Sequence, residues 1–298
     1  MTFNAFVQRS ARVTVTVTRA DSSGGQTTST YTFSQHRMKI NVRQGGGQFG
    51  NAKVEIFGVP LDTMNNIARL WLESLTPQNS DTVAIDVFDG DDYVPFFQGV
   101  ISWSSVNGAG MPAVSLIIEA NAAMALMNAT ASPYANAGPV SLQSALTTLA
   151  AAQQFSVDYA ASVPQYQCVD IRLTGSPMEQ ISGLMNHFPD LTWFVNLQRV
   201  VVRRANAPYS ADAVSIAADN GLMRLPVYSS SGLQFDTLFN PQLRPGVACD
   251  VTTVFDFVNR TLWVAAVLSH MIEPNVPGGQ WTTSCAANSY GPRGNNQT

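Results

Sequence analysis

Strict alternation of valine and threonine near the start of the chain is the feature that most constrains its fold. Val13, Val15 and Val17 alternate with threonines, and a period of two places the three valines on one face of a strand. The same period recurs in residues 31–42, 54–56 and 83–87; residues 96–103 are predicted to return antiparallel in a hairpin, and residues 114–118 to close the domain. We therefore predict that residues 1–119 form an antiparallel β domain.

A short helix is predicted between the strands of this region. Met64, Ile67, Ala68 and Trp71 recur at helical spacing, and Asp62 is placed to cap the helix at its N-terminus. The helix is expected to cover one end of the sheet.

Two polar segments match ligand-binding strings but predict turns. Residues 45–50 fit G-x-G-x-x-G, yet a nucleotide-binding loop must open a helix, whereas a strand follows here at Val54. Residues 89–92 are rich in aspartate but lack the long loop and terminal glutamate of an EF-hand calcium site. We predict an inter-strand loop at the first segment and a hairpin turn at the second.

The pattern changes to α+β in residues 120–208 and returns to β in residues 209–298. Ser141 is predicted to begin one helix, and Ser176 with Glu179 forms a capping box that begins another. The last region contains five predicted strands, at residues 213–217, 233–239, 247–255, 262–270 and 280–287. The predicted fold class is mainly β, with two antiparallel β-barrel domains, 1–119 and 209–298, bracketing the α+β insert.

Charge and composition favour an assembly protein over a nucleic-acid binder. Only 12% of residues are charged and the net charge is −4, without a basic cluster of the size that gripping DNA requires. Arg199, Arg203 and Arg204 flank three valines, and we interpret this run as a hydrated strand with charged ends. A surface of low charge density costs little to desolvate against a neighbouring subunit.

The cysteines and the apolar segments indicate the cellular compartment in which the chain folds. Cys168, Cys249 and Cys285 are odd in number and lack zinc-site spacing, so we predict reduced thiols in the core. The first ten residues lack the apolar stretch of a signal peptide. Polar residues interrupt the most apolar later segment, around residues 116–127, and no stable membrane insertion is expected.

We find no motif in the sequence that indicates catalysis, cofactor binding or metal binding. We therefore predict no catalytic, cofactor-binding or metal-binding residues and no enzymatic activity. The three histidines, His36, His187 and His270, lack metal-site spacing, and His270 is expected to serve as a structural group that can pair with Glu273. The five glutamates supply no evident acid and nucleophile pair. Four tryptophans in patterned segments are predicted to be core residues: Trp71, Trp103, Trp193 and Trp281.

Three stretches, in order, resemble the baseplate hub family of contractile-tailed bacteriophages. The first two are residues 36–70 and 141–204. The third, residues 221–255, is the most specific because it matches the family's spacing of glycine, proline and asparagine at Gly221, Pro226, Gly232, Leu238, Asn240, Pro241, Pro245 and Gly246. Residues 267–287 continue the resemblance with His270, Trp281 and Thr282. The loop between Phe239 and Val247 is expected to be rigid, because proline fixes φ and glycine permits a tight reversal.

The resemblance implies a structural protein with two tail-tube-like barrels that assembles as a homotrimer. The implied partners are the tail tube protein, the central spike protein, the tape-measure protein and other baseplate proteins, while DNA only passes through the lumen. The implied location is the virion, in the tail baseplate, after assembly in the host cytoplasm. No lysozyme or needle domain is expected after residue 290, so wall cutting would belong to a separate chain.

Two other interpretations stay open from the sequence. The chain could be the hub or distal tail protein of a non-contractile tail, or of a tail-derived secretion or bacteriocin particle, and a neighbouring sheath gene would distinguish these. A carbohydrate-binding or wall-degrading β protein would instead require a cleft with paired carboxylates and exposed aromatic rings.

Overall fold

Strands form most of the computed structural model, which describes residues 9–20, 25–45, 48–68, 81–109, 111–205, 207–210, 212–230 and 232–292. The first region contains β1 (Ala11–Ala20), β2 (Gln26–Phe33), β3 (Met38–Gly45), β4 (Gln48–Phe57), α1 (Leu61–Ile67), β5 (Thr82–Phe88), β6 (Tyr93–Asn107) and β7 (Ser115–Asn121). The middle region contains α2 (Met124–Asn128), β8 (Tyr134–Ser141), α3 (Leu142–Ala151), β9 (Ser156–Tyr159), β10 (Gln167–Leu173), α4 (Pro177–Met185), β11 (Leu191–Asn196) and β12 (Arg199–Arg204). The last region contains β13 (Ala213–Ile216), β14 (Val227–Ser229), β15 (Gly232–Leu238), β16 (Ala248–Val251), α5 (Asp256–Asn259), β17 (Thr261–Ile272) and β18 (Trp281–Pro292). The predicted class, mainly β with an α+β insert, is confirmed.

A single sheet of 13 strands joins the first and last regions. Its main path runs β14-β15-β18-β17-β3-β4-β7-β6-β5-β1-β2, and β16 with β13 branches from β17. The joint is the antiparallel β17–β3 ladder, from Ile272 opposite Ile40 to Val267 opposite Gly45. The first predicted boundary, residue 119, falls inside β7, which ends at Asn121. The domain limits themselves stay a prediction.

The alternation in the sequence places the core as predicted. Val13, Val15 and Val17 are fully or almost fully buried, whereas the threonines between them are half-buried on the other face of β1. One hydrophobic core extends from the first region into the insert and includes Leu146 of α3 and Ile181 of α4. The last region has a second core of its own. The insert is therefore packed onto the first region.

Helix starts follow the local sequence signals in two helices and depart from them in a third. The capping box of α4 is present, since Ser176 Oγ accepts from the Glu179 amide and the Glu179 carboxylate accepts from the Ser176 amide. Ser141 caps α3 as predicted. The helix α1 is present with Met64 and Ile67 buried, but the prediction that Asp62 caps it is wrong, because Pro60 occupies the N-cap and Asp62 lies within the first turn. Trp71 lies outside the described residues.

The predicted hairpin turn at residues 89–92 and the buried thiols are confirmed. Residues 89–92 connect β5 to β6, and the Asp89 carboxylate accepts from the amides of Asp91 and Asp92. These two hydrogen bonds lower the pKa of Asp89. The predicted loop at residues 45–50 is shorter than expected, because β3 ends at Gly45 and β4 begins at Gln48, which lies opposite Gly45. Residues 46 and 47 lie outside the described residues. The three cysteines are free thiols and buried.

Gly45 lies where the β3–β4 hairpin meets β17. Its φ of 81° is in the left-handed region, and a Cβ there would lie 1.9 Å from the Ala266 carbonyl oxygen. Gly58 has a similar φ of 76° but open space around it. Substitution of Gly58 would therefore add backbone strain alone, whereas substitution of Gly45 would add the same strain and a steric clash at the joint.

We predict that Gly45→Ala destabilises the protein more than Gly58→Ala. Backbone strain costs about 1 kcal/mol at either position, and the clash at Gly45 adds further cost because β17 must move away from β3. Urea unfolding of both variants measures the difference. Equal losses in the free energy of unfolding would contradict a tight joint at this position.

Candidate functional site

A wide face of the sheet carries polar side chains that are exposed or half-buried. We call it the open face, the outward side of β15, β18, β17, β3, β4 and β7. One row of cross-strand partners on it runs across the joint between the first and last regions: Asp236, Ser284, Ser269, Arg43, Asn51 and Asn121. Because cross-strand partners share a face, this row shows that the surface is continuous from one β region to the other.

Charges of both signs are mixed on the open face. Two grooves of about 760 and 340 Å³ lie on it. Their lining contains four cationic residues, Lys39, Arg43, Lys53 and Arg224, and four carboxylates, Glu55, Glu119, Asp236 and Glu273. Lys53 pairs with Glu119 at 2.8 Å, and Arg224 pairs with Asp236. The face is therefore close to neutral and has no basic stripe that would retain a phosphate backbone.

Beneath the open face, His270 of β17 lies at the centre of an aromatic cluster. Its ring contacts Phe96 of β6 edge-on at 4.9 Å and Phe239 at 5.8 Å, and Phe239 in turn contacts Trp281. Rings from the first and last regions thus meet in one cluster. The prediction that His270 is a structural group is confirmed, whereas the suggested pairing with Glu273 is wrong.

The environment of His270 fixes its protonation state. The side chain is fully buried, and Nδ1 lies 2.9 Å from the Thr283 hydroxyl. Burial, and secondly the positive charge of Arg244, lower the pKa of His270 to about 3. The imidazole is therefore neutral at physiological pH. Glu273 instead accepts a hydrogen bond from the Gln280 amide.

The loop between Phe239 and Val247 is held by hydrogen bonds within the loop, to β17 and to the segment that follows the insert. Asn240 Oδ1 accepts from the Gln242 amide and stabilises the turn. The Gly246 amide donates to Ala265 of β17, and its carbonyl accepts from Tyr209, which follows the insert. Gly246 has φ of 85°, as the reversal predicted there requires.

Arg244 is the residue of this loop that the sequence reasoning missed. Its guanidinium donates to the Pro95 carbonyl of β6 at 2.8 Å and to the Pro241 carbonyl of its own loop. Burial lowers its pKa, and Arg199 contributes to the same shift. The sequence signal for this role was an arginine between two prolines of a tight loop. Such a loop leaves carbonyl groups without backbone partners, and an arginine side chain can donate to them.

Two site predictions need correction. Arg203 is not hydrated: it is only 7% exposed and donates to three backbone carbonyls. Trp103 is 37% exposed, because a register shift in β6 turns Trp103 outward and Ser104 inward. Trp281 is buried and Trp193 is partly buried against the core, as predicted.

Among the described residues, no group of three or more histidine, cysteine, aspartate or glutamate side chains could hold a metal ion. His36 precedes β3, His187 follows α4 and His270 is buried in β17, so the histidines are separate. In the part of the chain that the structure describes, no helix is long and apolar enough to span a membrane.

The fold is that of tail proteins of known structure. A tail protein from Neisseria meningitidis MC58 superposes with a TM-score of 0.59 and 11% identity, over 94% of this chain and 96% of that one. The prophage MuSo2 tail protein from Shewanella oneidensis gives a TM-score of 0.57 and 9% identity, over 94% and 96%. The resemblance to tail hub proteins that the sequence suggested is thus confirmed at the level of fold.

A component of a bacterial secretion machine shares the same fold. It is an E. coli protein of the type VI secretion system, described as structurally similar to the T4 tail proteins gp27 and gp5. The TM-score is 0.56 and the identity 7%, over 86% of this chain and 74% of that one. No family model and no curated protein matches the sequence.

We predict that His270 makes the protein less stable in acid. The unfolded state binds a proton near pH 6.5 and the folded state only near pH 3, so the His270 contribution is complete above 6.5 and falls between these values. The slope is about 1.4 kcal/mol per pH unit for one proton. Urea unfolding from pH 7 to pH 4 should show a shallower dependence in His270→Gln than in the exposed control His187→Gln. Identical profiles would contradict this origin.

Proposed function

We propose that the chain is the hub subunit of a phage-type tail baseplate, a structural protein that joins the tail tube to the central spike. The observation that carries the proposal is the open face, which is polar, nearly neutral and continuous across both β regions. A surface of this kind suits the wall of a channel through which DNA passes without being held. The fold shared with tail proteins supports the same assignment.

The working unit that we propose is a homotrimer. A tail tube consists of sixfold rings and a spike is threefold, so the adaptor between them has to satisfy both symmetries. Three chains with two β regions each would present six comparable β surfaces to the tube and keep threefold symmetry towards the spike. The β3–β17 ladder supports this arrangement, because it holds the two β regions of one chain side by side.

The proposed partners follow from this position in the tail. The tube protein docks on one side and the central spike protein on the other, while the tape-measure protein and later DNA occupy the lumen. Other baseplate proteins surround the hub. The proposed location is the virion, with assembly in the host cytoplasm.

A second candidate is the corresponding hub of a tail-derived secretion machine. The fold shared with the E. coli type VI secretion component favours it. The trimer and the channel would be the same in that machine.

We predict that the purified protein, with its spike partner if needed, is a trimer by light scattering. The two ends of the main sheet path, β14 and β2, are edges that a neighbouring chain can cover. A stable monomer or a hexamer under both conditions would end the trimer proposal.

We predict that lysines on the open face create DNA binding that the wild-type protein lacks. The double variant Gln234→Lys with Ser284→Lys adds two cations at exposed positions of that face. Anisotropy of a labelled DNA duplex should then rise in a salt-dependent manner. The control Gln143→Lys with Ser144→Lys adds the same charge to exposed positions of α3. Strong binding by the wild type would contradict a neutral channel wall.

We also propose that the chain has no hydrolytic activity on cell-wall material. The carboxylates on the open face form an ion pair or accept hydrogen bonds: Glu119 with Lys53, Asp236 with Arg224, Glu55 with Ser115 and Glu273 with Gln280. The expected result with a peptidoglycan suspension is no clearing. Clearing that a single carboxylate substitution abolishes would show the opposite.

A further inference from the structure

A cleft of about 510 Å³ lies where the insert meets the β3–β4 hairpin and the loop after Phe239. Aromatic and aliphatic side chains share its walls with polar groups. Phe49 of the hairpin and Trp193 of β11 pack with ring centroids 5.1 Å apart, and Met185, Phe188 and Pro245 complete the apolar part of the walls. Clefts between structural units with apolar walls and a few placed polar groups are typical ligand sites.

Arg203 is the charged group of this cleft. Its Nη1 donates to the carbonyls of Arg204, Ala205 and Ala207, at 3.1, 3.1 and 2.9 Å, so the guanidinium is held in one orientation. Its Nε is buried without a partner. Its Nη2 makes no hydrogen bond within the described residues, and Arg203 is one of the residues that line the cleft. One more donor on this immobilised side chain, Nη2, thus stays without a partner in the part of the chain that the structure describes.

The charge of Arg203 has no counterion in the cleft. None of the described residues that line the cleft is acidic. Burial lowers the pKa of Arg203, the direction expected for a cation that has lost water without gaining an anion. A buried unpaired charge is costly, and an incoming anion would remove that cost.

We propose that this cleft binds a carboxylate carried on an aromatic or aliphatic group. The carboxylate meets the Arg203 guanidinium, and the apolar group lies against Phe49, Trp193 and Met185. The C-terminal residue of a partner chain and a free aromatic acid both have this chemistry. The proposal is independent of the hub function, since neither the trimer nor the channel requires a ligand at this position.

Calorimetric titration of the full-length protein tests the chemistry with defined probes. N-acetyl-phenylalanine is expected to bind. Its carboxamide should bind with an affinity at least about tenfold lower, because the charge-assisted hydrogen bonds are lost. Equal affinity for the two, or heat from neither, overturns the proposal. N-acetyl-alanyl-phenylalanine and phenylacetate then distinguish the sources: tighter binding of the peptide indicates a chain terminus, and tighter binding of phenylacetate a free acid.

Two variants test whether the ligand binds in this cleft. Arg203→Met removes the cation and should abolish binding of N-acetyl-phenylalanine, but it also removes three hydrogen bonds that support the fold. Ser182→Trp keeps Arg203 and fills the cleft from α4, and it should abolish binding with an unchanged circular dichroism spectrum. Gln143→Trp, at an exposed position of α3, is the matched control and should bind like the wild type. Unchanged binding in Ser182→Trp would overturn the assignment.

Discussion

The antiparallel ladder between β3 and β17 is the interaction on which the rest of the structure depends. Six residue pairs, from Val267–Gly45 to Ile272–Ile40, join strands from opposite ends of the chain. Their inward side chains, including Ile40 and His270, are fully buried, and their outward side chains continue the open face. Separation of these strands would expose backbone groups and apolar side chains at once, and therefore the two β regions hold a fixed relation.

Two polar side chains near this ladder, His270 and Arg244, contact groups from both β regions. The neutral imidazole of His270 lies among aromatic rings from both regions and contacts Thr283. Arg244 crosses from the loop of the last region to the Pro95 carbonyl in the first. Such bonds contribute more to geometry than to net stability, since each replaces a bond to water. They fix which face of each strand points outward.

Local sequence signals predicted much of the fold, because the interactions that these signals report act between residues close together in the sequence. The valines of β1 and the capping box at Ser176 depend on neighbours within a few residues, and both are confirmed. The pairing of β3 with β17 depends on residues far apart in the sequence, which alternation cannot specify. The short elements α2 and α5 and the strands β8, β10 and β14 also lacked a strong periodic pattern.

The errors at Arg203 and Trp103 have the same origin in non-local geometry. A charged strand end is usually hydrated, but the last residue of β12 and two alanines that follow it offer three carbonyls to Arg203. The outward position of Trp103 depends on a register shift of β6 against β7, and the sequence of β6 does not predict that shift. Side chains placed by turns and bulges require the fold before they can be assigned.

The direction of the β3–β17 ladder also determines how the molecule would respond to mechanical load. A pull along the two strands stretches all the hydrogen bonds between the six pairs together, so the force on each bond is a fraction of the total. A pull across the strands opens the pairs one after another, and each bond then bears the whole force. The joint is therefore strongest in shear, and a particle that pushes along the strand axis would load it in its resistant direction.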